Sequence, residues 1–170
     1  MKRLVAMSDS HGMTANLRDA AGIAMGGGLI DTFVFLGDGA QDFEKVKPAL
    51  LRHNPRMQVV AVRGNNDFSK SLPIAQVFTF AGRKALAAHG TAYQVKYGLE
   101  RLYYAAREME AAIALYGHTH ASRLEAVRGV LLVNPGAVCG GSLNKSAYAE
   151  LLADEGTFRA NLVGWSWVPL

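Results

Sequence analysis

Cysteine is nearly absent: Cys139 is the single one in a chain of 170 residues. No intramolecular disulfide is possible, and a reducing compartment fits. Long hydrophobic runs are missing as well. Uncharged stretches such as residues 71–82 fall short of a membrane span and contain proline or glycine. Met1-Lys2-Arg3 resembles the charged start of a secretory leader. Only Leu4-Val5-Ala6-Met7 follow before Ser8 and Asp9, too short for the apolar core of such a segment. A cytoplasmic protein is expected, with no membrane partner. Basic runs are lacking too. The net charge of +4 mildly favours anionic ligands but is no argument for nucleic acid without them. Repeats, linkers and low-complexity tracts are absent, so residues 1–170 are expected to form one domain. Half the residues are hydrophobic and 19% are charged, which excludes wholesale disorder. About two-thirds of the surface of such a chain is buried on folding.

What is present is a rhythm. Residues 4–7 form an apolar run that breaks at Ser8-Asp9-Ser10-His11-Gly12. From 14 to 25, Leu17, Ala20, Ala21 and Ala24 recur at helical spacing, with Thr14 as the expected N-cap. Gly26-Gly27-Gly28 ends that helix; it precedes a strand and so has the wrong order for a phosphate loop. Residues 32–36 and 58–62 are further buried strands, separated by a helix over 42–52 that Pro48 is expected to interrupt. Strand, helix, strand, helix, strand indicates a mostly parallel sheet. Residues 76–80 and 84–88 then read as a hairpin, 99–110 as a helix and 113–116 as a strand. Residues 124–127 with 130–133 are a second hairpin around Arg128-Gly129, and 147–153 with 158–163 a third around residues 154–156. The expected fold class is α/β, with two packed sheets and helices outside.

Polar residues cluster just after the apolar strands. Asp9 and His11 follow the first, Asp38 the second, and Asn65 the third; His89 follows a later one, and His118 with His120 another. A single Asp after a strand is ordinarily a turn residue, and a single His such as His53 or His89 is ordinarily structural. Five independent strand ends carrying metal-type residues make a different case, because strand C-termini in α/β sheets open onto a shared crevice. Oxygen and imidazole donors without cysteine suit Mn, Fe, Co, Ni or Zn. Seven donors exceed the needs of one ion but suit two that share a carboxylate. Such ions lie about 3.5–4 Å apart and together activate water for a phosphoryl displacement. Cys139 lies in a glycine-rich loop with no nearby partner, and no role is expected of it.

Asp-x-His, Gly-Asp, Gly-Asn-x-Asp, His-Gly and Gly-His-Thr-His, in that order from Asp9 to His120, resemble the calcineurin-like metallophosphoesterase superfamily. Asn134-Pro135-Gly136 is similar to a segment of its small members. The short length resembles the compact YfcE-type phosphodiesterases. The resemblance implies a four-layer αββα sandwich of two mixed sheets flanked by helices. It also implies two divalent ions, with Mn2+ as the first choice and Fe, Zn, Ni or Co as alternatives. By position, Asp9, His11 and His120 would bind one ion, Asn65, His89 and His118 the other, and Asp38 both. Asp38, Asn65, Asn66 and His118 are the implied catalytic positions. Many members carry histidine where this chain has Asn66. A neutral amide cannot deliver a proton near pH 7, and general acid catalysis contributes about 10²–10⁴-fold. A slow enzyme preferring good leaving groups is therefore expected.

Asp67 is expected to orient a ligand. Tyr93, Lys96 and Tyr97, in the loop after His89, are read as solvated and packing residues rather than a substrate entrance, and Arg63 as structural. The expected partner is a small phosphoester. The hairpin-rich half also offers an edge or sheet face for self-association into a homodimer or higher homo-oligomer. The rival reading is a non-catalytic scaffold resembling the retromer's Vps29 subunit. A nuclease ranks last, because no extended basic-aromatic surface is present.

Overall fold

The computed structural model describes residues 1–68, 70–140, 148–154, 157–163 and 168–169. The chain forms β1 (Lys2–Met7), α1 (Thr14–Gly26), β2 (Thr32–Phe35), α2 (Ala40–His53), β3 (Gln58–Ala61), β4 (Ala75–Phe80) and β5 (Arg83–Ala88). A 3-10 turn (Thr91–Tyr93) precedes α3 (Glu100–Glu108), β6 (Ile113–Leu115), β7 (Arg123–Val127), β8 (Val130–Asn134), β9 (Ala149–Asp154), β10 (Thr157–Leu162) and β11 (Val168–Pro169). One sheet has the order β11-β10-β9-β1-β2-β3, the other β4-β5-β6-β8-β7. In the first, β1, β2 and β3 are parallel and β9 joins β1 antiparallel. In the second, β5, β6 and β8 are parallel, with antiparallel neighbours at both edges.

Period-two alternation sends neighbouring side chains to opposite faces. Leu4, Ala6, Val34 and Leu36 point into a cluster between the sheets, where they meet Ala85, Ala87, Ile113, Leu115, Leu131 and Val133. Val5, Met7, Phe33 and Phe35 point the other way, onto Leu17, Ala20, Ala21 and Ala24 of α1 and Phe43, Val46 and Leu50 of α2. Leu86, Ala114 and Leu132 pack on Leu102 and Ala106 of α3. These faces make the four-layer αββα sandwich of two mixed sheets that the motifs imply. The central strands β1, β2, β6 and β8 are buried on both faces because each sheet is covered on both sides there.

Three local expectations are corrected. Met13, not Thr14, is the N-cap of α1, and no side chain caps it. The Thr14 hydroxyl instead donates to Asp42 Oδ1 at 2.5 Å, a tertiary partner that wins over the local cap. Pro48 lies within an uninterrupted α2. The first hairpin loop holds two residues, Ala81 and Gly82, both with left-handed φ (47° and 79°), as the twist of a tight hairpin requires. Arg128 and Gly129 repeat the pattern. The strand β11 was not expected. Of the third hairpin's turn, residues 155 and 156 lie outside the described residues, as does residue 147 of its first expected strand.

Gly27, just after α1, has a packing reason. A Cβ on Gly27 would come within 2.9 Å of the Arg3 guanidinium. That buried group donates to the carbonyls of Ala24 (2.7 Å) and Gly28 (2.8 Å) and pairs with Glu150.

Candidate metal centre

The turns after β1, β2, β3, β5 and β6 converge at one end of the sandwich, and backbone bonds stitch them together. Asp9 N–H donates to Gly37 O (2.9 Å), His11 N–H to Asp38 O (3.0 Å) and Gly117 N–H to His89 O (3.0 Å). Asp9, His11, Asp38, His118 and His120 all have left-handed φ, between 46° and 67°. Non-glycine residues rarely hold that conformation, and here it aims side chains into the crevice instead of along the strand. The glycines beside them allow close approach. A Cβ on Gly64 would lie 2.0 Å from Asp38 Oδ1, and one on Gly117 would lie 2.0 Å from Ser8 Oγ.

Asp9 is fully buried. Its Oδ2 accepts from Ser8 Oγ (2.6 Å) and from His118 N–H (3.0 Å). Its Oδ1 has no hydrogen-bond partner, and neither has His89 Nε2. His89 is only 2% exposed. Its Nδ1 lies 2.7 Å from Leu36 O. A carbonyl only accepts, so Nδ1 carries the proton and Nε2 presents a lone pair. That lone pair faces Asp38 Oδ2 at 3.4 Å and Asp9 Oδ1 at 4.0 Å. Across the crevice, His120 Nε2 lies 3.2 Å from Asp9 Oδ1 and 3.1 Å from His11 Nε2. His11 Nε2 is also 3.6 Å from Asp9 Oδ1 and 3.7 Å from Asp38 Oδ2. Acceptors aimed at one another call for a cation or a proton between them, so the donor set fits a divalent ion. Two of the donor clusters are Asp9–His11–Asp38 and Asp38–His89–His118. Six of the expected donors are thus brought together. Asn65 borders them, in a cleft of about 330 Å³ with Arg63, His89 and Thr91, and Thr91 Oγ1 donates to its Oδ1 (2.9 Å).

The electrostatics follow the geometry. Burial alone would raise the Asp38 carboxyl, but the nearby His89 ring and hydrogen bonds from the Asn66 amide and side chain hold it well below the usual carboxylate range. Burial would lower His89, yet Asp38 and Asp9 raise it above the ordinary imidazole value. His118 is lowered by burial and by the positive fields of His89 and Lys96.

Supporting residues were mostly invisible in the sequence. Asp67 accepts from the backbone N–H groups of Asp38, Gly39, Ala40 and Gly64 at 2.7–2.9 Å, so it fixes the backbone of the Asp38 turn. Asp42 accepts from Ser10 Oγ, Gly12 N–H and Thr14 Oγ1, tying the His11 turn to α2. Asn134 donates to Gly117 O and Thr119 Oγ1, both at 3.0 Å, which pins the histidine turn. Asn66 spends its backbone and side-chain N–H groups on Asp38 (2.8 and 2.6 Å). Lys96 is exposed, as the solvated reading has it, and Tyr93 packs on the core, but Tyr97 is 92% exposed rather than packed. Arg63 lines the cleft beside Asn65, more than a structural reading allows. Phe68, 95% exposed, lines a second cleft of about 430 Å³ with His11, Asp38 and Asn66.

Cys139 requires the largest correction. Its N–H donates to Asp9 O (3.0 Å), and its thiol lies with the His11 and His120 ring nitrogens, all three donor atoms within 4.8 Å of one another. Burial and the Asp9 carboxylate push the thiol's pKa up.

Carboxylate and imidazole donors at converging strand ends, on an αββα sandwich, define a protein built to hold divalent metal. The chain belongs to the calcineurin-like phosphoesterase superfamily, whose domain model matches residues 1–155. A probable metallophosphoesterase of Bacillus subtilis (strain 168), YsnB, is 32% identical over 132 residues, 78% of this chain and 72% of that protein. Among solved structures, a predicted phosphoesterase of Streptococcus pneumoniae TIGR4 is similar at a TM-score of 0.76 and 26% identity, over 95% of this chain and 88% of that one. A novel archaeal phosphodiesterase superposes at a TM-score of 0.72 with 21% identity, covering 94% and 99% of the two chains. Zinc-bound wild-type Vps29 of Entamoeba histolytica superposes at a TM-score of 0.70 with 20% identity, covering 94% and 91%. At these lower identities the likeness is one of fold.

Proposed function

We propose that the chain hydrolyses a small phosphodiester at a two-ion centre. Asp9, His11 and His120 hold one ion, Asn65, His89 and His118 the other, and Asp38 is shared. The observation that carries this reading is the pair of buried, partnerless atoms Asp9 Oδ1 and His89 Nε2, with Asp38 Oδ2 within 3.4 Å of the latter. When bound, the ions activate water and neutralise charge on the phosphoryl oxygens. The protein's share is positional. Leu36 O fixes the ring of His89 with Nε2 toward the centre. Asp9 holds the His118 backbone. Burial and the positive fields of His89 and Lys96 lower His118, which favours a bare ring nitrogen for an ion. Asn66 donates a hydrogen bond and delivers no proton, so aryl esters, with good leaving groups, are the preferred substrates.

The B. subtilis relative and the archaeal phosphodiesterase support this class of reaction. Manganese is the first ion to supply; iron, zinc, nickel and cobalt follow, because such donor sets accept several ions and availability decides. The scaffold reading is favoured by the Vps29 likeness, and the zinc in that structure means that metal binding alone does not separate the two. Turnover does. Bis-p-nitrophenyl phosphate is expected to be cleaved with Mn2+ and not with EDTA. Absence of metal-dependent turnover, with Asp38→Ala indistinguishable from the parent, sinks the enzyme reading.

A further inference from the structure

The segment after Asn134 returns to the crevice and is fastened there. Gly136 N–H donates to Asn134 Oδ1 (2.9 Å), Val138 N–H to Ser8 O (2.9 Å) and Cys139 N–H to Asp9 O (3.0 Å). The backbone of Cys139 is thus tied to the residue whose carboxylate is the candidate ligand. Its thiol has one weak hydrogen bond, 3.7 Å to Gly140 O, and otherwise faces the His11 and His120 ring nitrogens. A second observation points into the same space: Asp9 Oδ1, fully buried and without a partner, lies 3.2 Å from His120 Nε2 and 3.6 Å from His11 Nε2. Ligand atoms around a tetrahedral ion at about 2.0–2.3 Å stand about 3.3–3.8 Å from one another. The His11–His120, His120–Asp9 and His11–Asp9 separations of 3.1, 3.2 and 3.6 Å fall close to those edges.

We propose that Cys139 is a thiolate ligand of the first ion, joining Asp9, His11, His120 and the shared Asp38. The proposal rests on the two-ion reading above and goes beyond it, because a sulfur donor makes the two halves chemically unequal. On binding, the thiol proton leaves to solvent and the ion takes its place on Sγ. Thiolate favours zinc, cobalt and iron over manganese. The first half of the centre is therefore the softer one, and the second, with oxygen and imidazole donors only, the harder.

Cobalt reads this directly. The metal-free full-length chain is titrated with Co2+ under anaerobic conditions, beside Cys139→Ser. The parent is expected to develop a near-ultraviolet thiolate-to-cobalt charge-transfer band that the variant lacks, while both keep visible bands from nitrogen and oxygen donors. In Zn2+/Mn2+ competition the variant is expected to lose about 10–100-fold in zinc preference, at least what loss of a supporting residue costs. If both proteins take up cobalt and give the same spectrum, Cys139 is no ligand and the two-ion reading stands. If neither takes up cobalt, both ideas fall. Should the variant fold poorly, the parent alone still decides. Cys139 is the single cysteine, so alkylation reports on it alone. Zn2+ is expected to slow its modification by iodoacetamide at least about tenfold, and an unchanged rate overturns the proposal.

Discussion

His89 and His120 face the same crevice under opposite conditions. His89 is 2% exposed, its ring locked by a 2.7 Å bond to Leu36 O. His120 leaves 42% of its side chain open, and its ring nitrogen meets Asp9 Oδ1 and the His11 ring nitrogen, with the Cys139 thiol close by. The buried half is organised before any ion arrives, so little ordering entropy opposes binding there. The exposed half has room to adjust, which suits an ion that exchanges or opens a position to substrate. The difference shows that one donor set can hold a fixed and an adaptable ligand side by side, with burial deciding which is which.

The largest expected effect comes from removing what the halves share. Asp38→Ala is expected to lower kcat/KM for bis-p-nitrophenyl phosphate by at least about 10³-fold, the upper range for one electrostatic group. Metal content is expected to fall at both positions; loss of one ion alone would break the idea of a shared carboxylate. Next come the two histidines. His89→Ala and His120→Ala are both expected to lose one ion and most activity. In EDTA, however, His89→Ala is expected to cost about 2–4 kcal/mol of unfolding free energy, since it orphans Leu36 O and leaves a cavity. His120→Ala is expected to change stability by no more than about 0.5 kcal/mol. Urea unfolding of the metal-free variants decides; equal losses would erase the contrast.

A smaller effect separates the supporting carboxylates. Asp67 holds the Asp38 turn and Asp42 the His11 turn. Their Asn variants are expected to lose about 10–100-fold in metal affinity. Asp67→Asn should weaken both ions through Asp38, and Asp42→Asn mainly the exposed one, as calorimetric titration would resolve.

The smallest effect is one of pH. His89 is raised when folded, so its contribution to the metal-free protein is complete below 6.5 and fades as pH rises through its folded value. Asp38 is depressed, so its contribution is present above 3.8 and is lost only as pH falls through its lower folded value. The metal-free centre is therefore best paired in mild acid. An ion needs Nε2 bare, so metal affinity rises as that proton leaves. In EDTA, Tm should decline between about pH 6 and about pH 8. The increment from added metal should grow over the same range. A metal-free Tm that rises instead would contradict the His89–Asp38 pairing.

Much of the fold was legible because its elements carry strong local signals. The periodicity at Leu17, Ala20, Ala21 and Ala24 and the apolar strands at 4–7 and 32–36 needed no tertiary information. The seven candidate ligands were legible because each follows such a strand. Asp42 was not, because a carboxylate in the first turn of α2 is ordinary helix chemistry. Its partners Ser10, Gly12 and Thr14 come from another turn, and Thr14 accordingly does not cap α1. Arg63 read as structural because nothing in its neighbours places it beside Asn65 and His89.

The sequence by itself determined the order of the strands from β1 to β10 and of the three helices, the two-faced apolar strands and the family, since these rest on residue type and spacing along the chain. Tertiary structure alone decided which donors meet and how. Left-handed backbone at Asp9, His11, Asp38, His118 and His120 turns the side chains inward, a conformation no spacing rule announces. It also decided the fate of Cys139. A thiol without neighbours along the chain gains Asp9, His11 and His120 because two backbone bonds, Val138 to Ser8 and Cys139 to Asp9, fold its loop onto the first strand's end.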